Sequence, residues 1–233
     1  ERAVAQVQRQ QAGVAFQITQ RSHMAFGQIA HMNVVAHARA VRRRIVIAID
    51  TELLALADGL GWSRFSIVGH SMGGMAMQRV ALRAPDRVER LLGIAPVSAA
   101  GSGMDAARRA FFESAVDDVA ARQQIFHMST GQRLTAAWCR NMAADSTENS
   151  PAAMRAYLDG WAGLGFADQV AGLDVPVKVL VGEFDPGISF ERARDAWLLH
   201  HPHAEIEMVP QTGHYPMQEL PAFVAARARA WLW

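Results

Sequence analysis

The chain has 233 residues, 51% hydrophobic and 19% charged, with a formal net charge of +1. That length suffices for one large domain with a substantial core, and the balanced charge leaves no electrostatic footprint for nucleic acid. No apolar run approaches the roughly 20 residues of a membrane span, so no membrane association is expected.

The first residue is Glu1 rather than Met, as in a processed or partial product, and no secretory leader pattern opens the chain. The single Cys139 has no internal disulfide partner. A reducing, cytoplasmic setting is therefore expected, with Cys139 a buried and inert thiol.

In chain order, residues 1–49 read as an atypical N-terminal segment. Between Arg2 and Ile49 there is no Asp or Glu, while arginine recurs at Arg2, Arg9, Arg21, Arg39 and the run Arg42-Arg43-Arg44. A run that short is read as a solvated surface. No helical or alternating period organises residues 1–44. Ile45–Ile49 is a short apolar run that fits a buried strand or a helix start. "DTELLALADGL" (50–60) predicts a helix with Leu53, Leu54, Leu56 and Leu60 inward, Asp50 or Thr51 as N-cap and Gly61 as stop.

Phe65–Val68 reads as a buried strand, followed by a Gly69–Gly74 turn and a helix to about Ala84 that Pro85 ends. Val88–Val97 is the next strand. Met104–Phe166 is mainly helical, with breaks expected at Gly131, Ser146–Pro151 and Gly160, giving three or four helices. Val177–Gly182 is a strand, Phe190–His200 a helix, Ala204–Pro210 a strand and Met217–Leu232 a closing helix. Strands alternating with helices predict the α/β class with a mainly parallel sheet. Residues 50–98 and 167–233 form the expected core, and residues 99–166 the expected helical lid over the carboxyl edge of the sheet.

The chemistry concentrates at "SIVGHSMGG" (66–74), where a strand meets a helix. A nucleophile there needs a sharp turn that lifts its side chain clear of the sheet, and Gly69 and Gly73 supply positions without Cβ. Gly-x-Ser-x-Gly between strand and helix is a nucleophile elbow centred on Ser71. A serine nucleophile needs a base, and the base an orienting acid. Asp185 just beyond "VLVG" and His214 just beyond "EIEMVP" supply both in the order Ser, acid, His.

Glu183 is the alternative acid. His70, inside the elbow, reads as a pocket-wall residue. The cluster His200, His201, His203 has no carboxylate or Cys partner at ligand spacing, so a solvated loop is expected there and no metal. Phe111, Phe112, Trp138, Met142 and Trp161 in the helical block are either core or the lining of a substrate acyl pocket.

"LGWSRFSIVGHSMGGMAMQRVALRAPDRVERLLGIAP", "PVKVLVGEFDP" and "AEIEMVPQTGHYPMQELPAF" resemble the α/β-hydrolase superfamily, in the branch of small bacterial esterases and lactonases. The resemblance covers about residue 50 to the end. It implies that Ser71 is the nucleophile, His214 the general base and acid, and Asp185 the orienter. The backbone N–H of Met72 becomes one oxyanion donor, the substrate a small ester or lactone, and no metal or organic cofactor is needed.

The resemblance also implies an upstream His-Gly pair supplying a second oxyanion donor, and an Asp followed by Gly-x-Gly-x-Ser. Neither stands in residues 1–45, so the first strands of the sheet are expected to be atypical or missing. Either this segment is divergent, or it is out-of-frame or misassembled sequence joined to a hydrolase near Ile45 or Asp50. The acid-free, arginine-rich text favours the second. A non-catalytic ligand-binding protein on the same fold is the alternative to an enzyme.

Overall fold

In the computed structural model, residues 16–19, 45–163 and 165–233 are described. Most of the N-terminal expectations, including the Arg42–Arg44 run and the upstream oxyanion segment, lie outside these residues. The elements in order are β1 (Phe16–Thr19), α1 (Ile45–Gly59), β2 (Phe65–His70), α2 (Gly73–Arg83), β3 (Val88–Ile94), α3 (Ala106–Ser114), α4 (Val119–Ser129) and α5 (Ala136–Asp145). A 3₁₀ turn (Ser146–Glu148) leads to α6 (Pro151–Ala162), α7 (Ala167–Val170), β4 (Val177–Gly182), α8 (Phe190–Leu198), β5 (Glu205–Val209), α9 (Pro216–Glu219) and α10 (Pro221–Leu232).

The sheet runs β1-β2-β3-β4-β5. The pairs β2–β3, β3–β4 and β4–β5 are parallel. β1 lies antiparallel on β2, with Phe16 opposite Gly69 and Thr19 opposite Ser66. The N-terminal segment thus supplies one short strand of reversed direction, and the β2 edge is covered over these residues rather than left unpaired.

Alternation along the central strands sends neighbouring residues to opposite faces. Leu91, Val179 and Val181 pack with Ile49, Leu53 and Ala57 of α1, Met77 and Val80 of α2, and Trp197 of α8. Leu92, Ile94, Leu180 and Val209 pack on the other face against Val224, Phe223 and Trp231 of α10. Both faces are buried, which is why these strands read as near-continuous apolar runs.

Several expectations are corrected. Ile45–Ile49, open in sequence between a strand and a helix start, is the first part of α1. Ile49, Leu53 and Ala57 repeat at four-residue spacing as a buried stripe, and no Gly or Pro interrupts the run, so the helix continues upstream. Asp50 is accordingly no N-cap; it is fully buried in the helix and pairs with Arg83 at 3.1 Å. Gly61 does stop the chain's helical course, in the left-handed region at φ +71°.

In the helical block Gly160 does not break α6, which ends at Gly163, because one glycine is tolerated inside a well-packed helix. The overlooked break is at Asp118, whose side chain caps α4 by accepting the Ala120 N–H at 2.8 Å. β3 ends at Ile94 because Ala95 turns into the left-handed region at φ +43°. The closing helix is split by Pro221 into α9 and α10, since proline donates no N–H to continue the ladder.

The histidine cluster after α8 is not uniformly solvated. His201 is 5% exposed, stacks on Trp197, and shares a 3.0 Å hydrogen bond between its Nε2 and Gln78 Oε1. Its Nδ1 is buried without a hydrogen-bond partner among the described residues. Apolar flanking by Trp197 outweighs the polarity of the local sequence. Among the described residues no group of three or more His, Cys, Asp or Glu is arranged to hold a metal, and no helix is long and apolar enough to cross a membrane.

Burial, with the charge of His200 behind it, pushes His201 from 6.5 down to about 4. Unfolding restores the higher value, so between these two pH values the unfolded chain binds a proton that the folded chain refuses. Stability therefore falls as pH drops through this window. Urea midpoints measured at pH 7 and pH 5 should differ less in His201→Gln than in the wild type.

The β2–α2 turn leaves no room for larger residues. A Cβ on Gly74 would lie 2.4 Å from the Val97 carbonyl oxygen and 2.5 Å from Pro96 Cβ, and one on Gly69 would lie 2.4 Å from the Gly73 carbonyl oxygen. Gly74→Ala forces the backbone apart and should cost about 1–3 kcal/mol, read as a lower thermal midpoint. Gly59→Ala, with open space at its Cβ, is the control and should not lower it.

Candidate active site

Ser71, Asp185 and His214 each follow the carboxyl end of a parallel strand, β2, β4 and β5 in turn. Parallel pairing brings those ends to one edge of the sheet, where open α/β folds place their sites. Ser71 sits at φ +54°, a left-handed conformation uncommon outside glycine. Its backbone is held by hydrogen bonds from its N–H to the Ile94 carbonyl at 3.1 Å, and from the Gly74 and Val97 N–H groups to its own carbonyl at 2.9 and 2.8 Å. The turn Ala95–Val97 after β3 therefore buttresses the turn after β2.

His214 brings the three side chains together. Its Nε2 lies 3.0 Å from Ser71 Oγ and its Nδ1 lies 2.6 Å from Asp185 Oδ2. Asp185 is 4% exposed, and its second oxygen accepts the Gly187 and Ile188 N–H groups at 2.8 and 3.0 Å. Burial alone would raise this carboxyl. The charge and hydrogen bond of His214, with the two amides, outweigh burial and hold it below its ordinary range. Asp185 is thus ionised opposite Nδ1, which assigns the proton there and leaves Nε2 able to accept from the serine hydroxyl.

Glu183, the alternative acid, is turned elsewhere: its carboxylate accepts the Gln211 N–H at 2.8 Å. Met72 stands at the N-cap of α2 with helical dihedrals, next to Ser71, where helix N-termini favour negative charge. His70 is buried, and its Nε2–H donates to the His214 carbonyl at 2.7 Å. Its ring lies 5.0 Å from that of His214 and 5.2 Å from that of Tyr215. It braces the His214 loop from below.

The aromatic candidates of the helical block separate into two groups. Trp138 packs with Phe126 and Tyr215, with ring centroids 5.7 Å apart for the Trp138–Tyr215 pair. Tyr215 in turn meets His214 edge-on at 5.3 Å. Met142 lies one helical turn beyond Trp138 on α5. Phe111, Phe112 and Trp161 form the second group. Trp161 packs on the cluster of Met75, Val97 and Phe166, against which Ile188, just after the Asp185 turn, also packs.

Sequence reasoning missed the supports of the His214 loop: Tyr215, Glu219, Ser129 and Arg133. The Tyr215 phenol is pushed up by burial and by the charge of Asp185, so it stays protonated. A signal for Glu219 existed. An acid in the first turn of a helix that opens with Pro216 is placed to reach back to the preceding amides, as in a capping box.

Known proteins agree with this architecture. The chain is 27% identical over 186 residues to the pimeloyl-[acyl-carrier protein] methyl ester esterase of Nitrosomonas europaea, a match spanning 75% of this chain and 73% of that protein. The bromoperoxidase of Bacillus anthracis superposes with a TM-score of 0.72 at 17% identity, covering 78% of this chain and 72% of the other. Est816, an N-acyl homoserine lactone degrading enzyme, superposes with a TM-score of 0.68 at 21% identity, covering 79% and 74%.

The family model for the alpha/beta hydrolases matches residues 20–227 and so begins upstream of residue 50, where motif reading places the start of the resemblance. With that match over most of its length, the chain belongs to the alpha/beta hydrolase family.

Proposed function

We propose that this protein is a serine hydrolase that opens a carboxylic ester or lactone through an acyl-enzyme. The reading is carried by one observation: the continuous hydrogen-bond chain Ser71 Oγ, His214, Asp185 at 3.0 and 2.6 Å. Ser71 Oγ attacks the carbonyl carbon as His214 Nε2 takes its proton. Asp185 keeps Nδ1 protonated and stabilises the imidazolium that forms. The Met72 N–H donates to the developing oxyanion. His214 then passes the proton to the leaving alcohol oxygen, and water, deprotonated by the same nitrogen, releases the acid and restores Ser71.

The relatives support the bond type. One is named as a methyl ester esterase and another as degrading N-acyl homoserine lactones; both names describe acyl–oxygen substrates. Residues 99–166 act in this reading as the lid. Trp138 and Met142 on α5, and Phe111 and Trp161 on α3 and α6, line the acyl side, with the Trp138 ring joined to His214 through Tyr215. His70 contributes there by holding the base rather than by touching substrate.

A fluorophosphonate probe combined with hydrolysis of p-nitrophenyl acetate and butyrate tests this. Wild-type protein should label at Ser71 and turn over both esters. Ser71→Ala and His214→Ala should lose at least about 10⁴-fold in kcat. Asp185→Asn, which permits the wrong tautomer, should lose about 10⁴-fold with little change in KM. Folded wild-type protein that neither labels nor hydrolyses would instead indicate a ligand-binding member of the family.

A further inference from the structure

The backbone around His214 is unusually committed. The Gly213 N–H donates to both carboxylate oxygens of Glu219 at 2.9 Å, and the Tyr215 N–H donates to the same carboxylate at 3.2 Å. Between them the His214 N–H donates to the Ser129 carbonyl at 2.9 Å, and the His214 carbonyl accepts from His70 Nε2 at 2.7 Å. One buried carboxylate therefore straddles the base, holding the amide on either side of it.

That carboxylate is itself anchored from outside the loop. The Glu219 side chain is 2% exposed, and Arg133, between α4 and α5, reaches it at 3.3 Å. The Arg133 guanidinium also lies 4.6 Å from the Phe184 ring centroid, next to Asp185, and 3.5 Å from Gln211 Oε1. The end of α4 presses on the same place, since a Cβ on Gly213 would lie 2.5 Å from Thr130 Cα.

We infer that Glu219, clamped by Arg133, is a positioning residue that sets the His214 imidazole between Ser71 and Asp185. The inference rests on the serine-hydrolase reading above and assigns to that same site a support from the helical insertion. A carboxylate is the group suited to this position, because it presents only acceptors to two N–H donors and a guanidinium. An amide in its place offers one acceptor oxygen and turns an NH₂ toward a donor. Burial, with the charge of Asp185, pushes this carboxyl upward, and the two amides and the Arg133 guanidinium pull the other way, favouring the acceptor form. Small displacements of a catalytic group suffice to lower turnover without weakening substrate binding.

The experiment compares Glu219→Gln, Glu219→Ala, Arg133→Met and the double variant Glu219→Gln/Arg133→Met with the wild type and with Glu183→Gln. Glu183 caps Gln211 in the same loop, and among the described residues no hydrogen bond joins its side chain to residues 213–215. Esterase kcat and KM are read with circular dichroism for the folded fraction, and the His214 Nδ1–H resonance facing Asp185 is followed by proton NMR. Glu219→Gln should lose about 10–100-fold in kcat with KM within about twofold, and its resonance should broaden or vanish. Arg133→Met should show a smaller loss of the same kind, and the double variant less than the product of the two single losses. Glu183→Gln should match the wild type.

Wild-type kcat and an intact resonance in folded Glu219→Gln would overturn the inference, as would a loss no larger than that of Glu183→Gln. A wild type that fails to label or hydrolyse defeats the hydrolase reading instead. The resonance arm then still decides whether Glu219 orients His214, because it requires no turnover. Glu219→Ala, if unfolded, leaves the isosteric Gln variant to decide.

Discussion

One imidazole must satisfy two oxygen atoms that arrive on different strands. Ser71 Oγ and Asp185 Oδ2 are each fixed by the end of their own strand, and His214 has to meet them at 3.0 and 2.6 Å. Much of the architecture serves that requirement. Parallel register from β2 to β5 aligns the strand ends. The two buried faces of the sheet hold those strands rigid, since close-packed interiors transmit rather than absorb displacement.

The serine is placed by a local conformation that the chain would not choose alone. A non-glycine residue at φ +54° costs on the order of 1–3 kcal/mol and persists only where its surroundings over-determine it. Here those surroundings are the Ala95–Val97 turn, itself left-handed at Ala95, and the absence of side chains at Gly69 and Gly74. Two adjacent turns, one after β2 and one after β3, stabilise each other through the Ser71 carbonyl. The same packing presents the serine hydroxyl to His214 and sets Met72 at the opening of α2.

Electrostatics then separates the roles of the acids around the site. Asp185 is buried yet kept ionised by His214 and two amides. Glu219, equally enclosed, faces amides and Arg133. Glu183, exposed, accepts from the backbone and side-chain N–H groups of Gln211. Because Ser129 and Arg133 belong to the inserted helical block, that block is hydrogen-bonded to the base's own loop. The placement of that block and the geometry of His214 are therefore physically linked.

The linear order of residues was sufficient for much of this. Apolar runs marked β2, β3 and β4, and Gly-x-Ser-x-Gly between strand and helix singled out Ser71 because a tight turn demands glycine wherever backbone crowds backbone. Asp185 and His214 were legible because strand ends carry sites in parallel α/β folds. Local sequence could not decide whether Ile45–Ile49 was helix or strand, since both periodicities fit five apolar residues. Nor could it place His201, whose burial comes from Trp197 and Gln78, the latter distant in the chain. The aromatic residues of the helical block likewise acquired distinct neighbours only on folding.

The braces of His214 show the division most clearly. His70, Ser129 and Arg133 carry no motif that names them as partners, because their hydrogen bonds cross 144, 85 and 86 residues of chain. Sequence alone singled out Ser71, Asp185 and His214 as the candidate groups, through residue type and local turn geometry. Only the tertiary structure decided what holds the base in place, because long-range backbone contacts arise from packing and leave no local pattern.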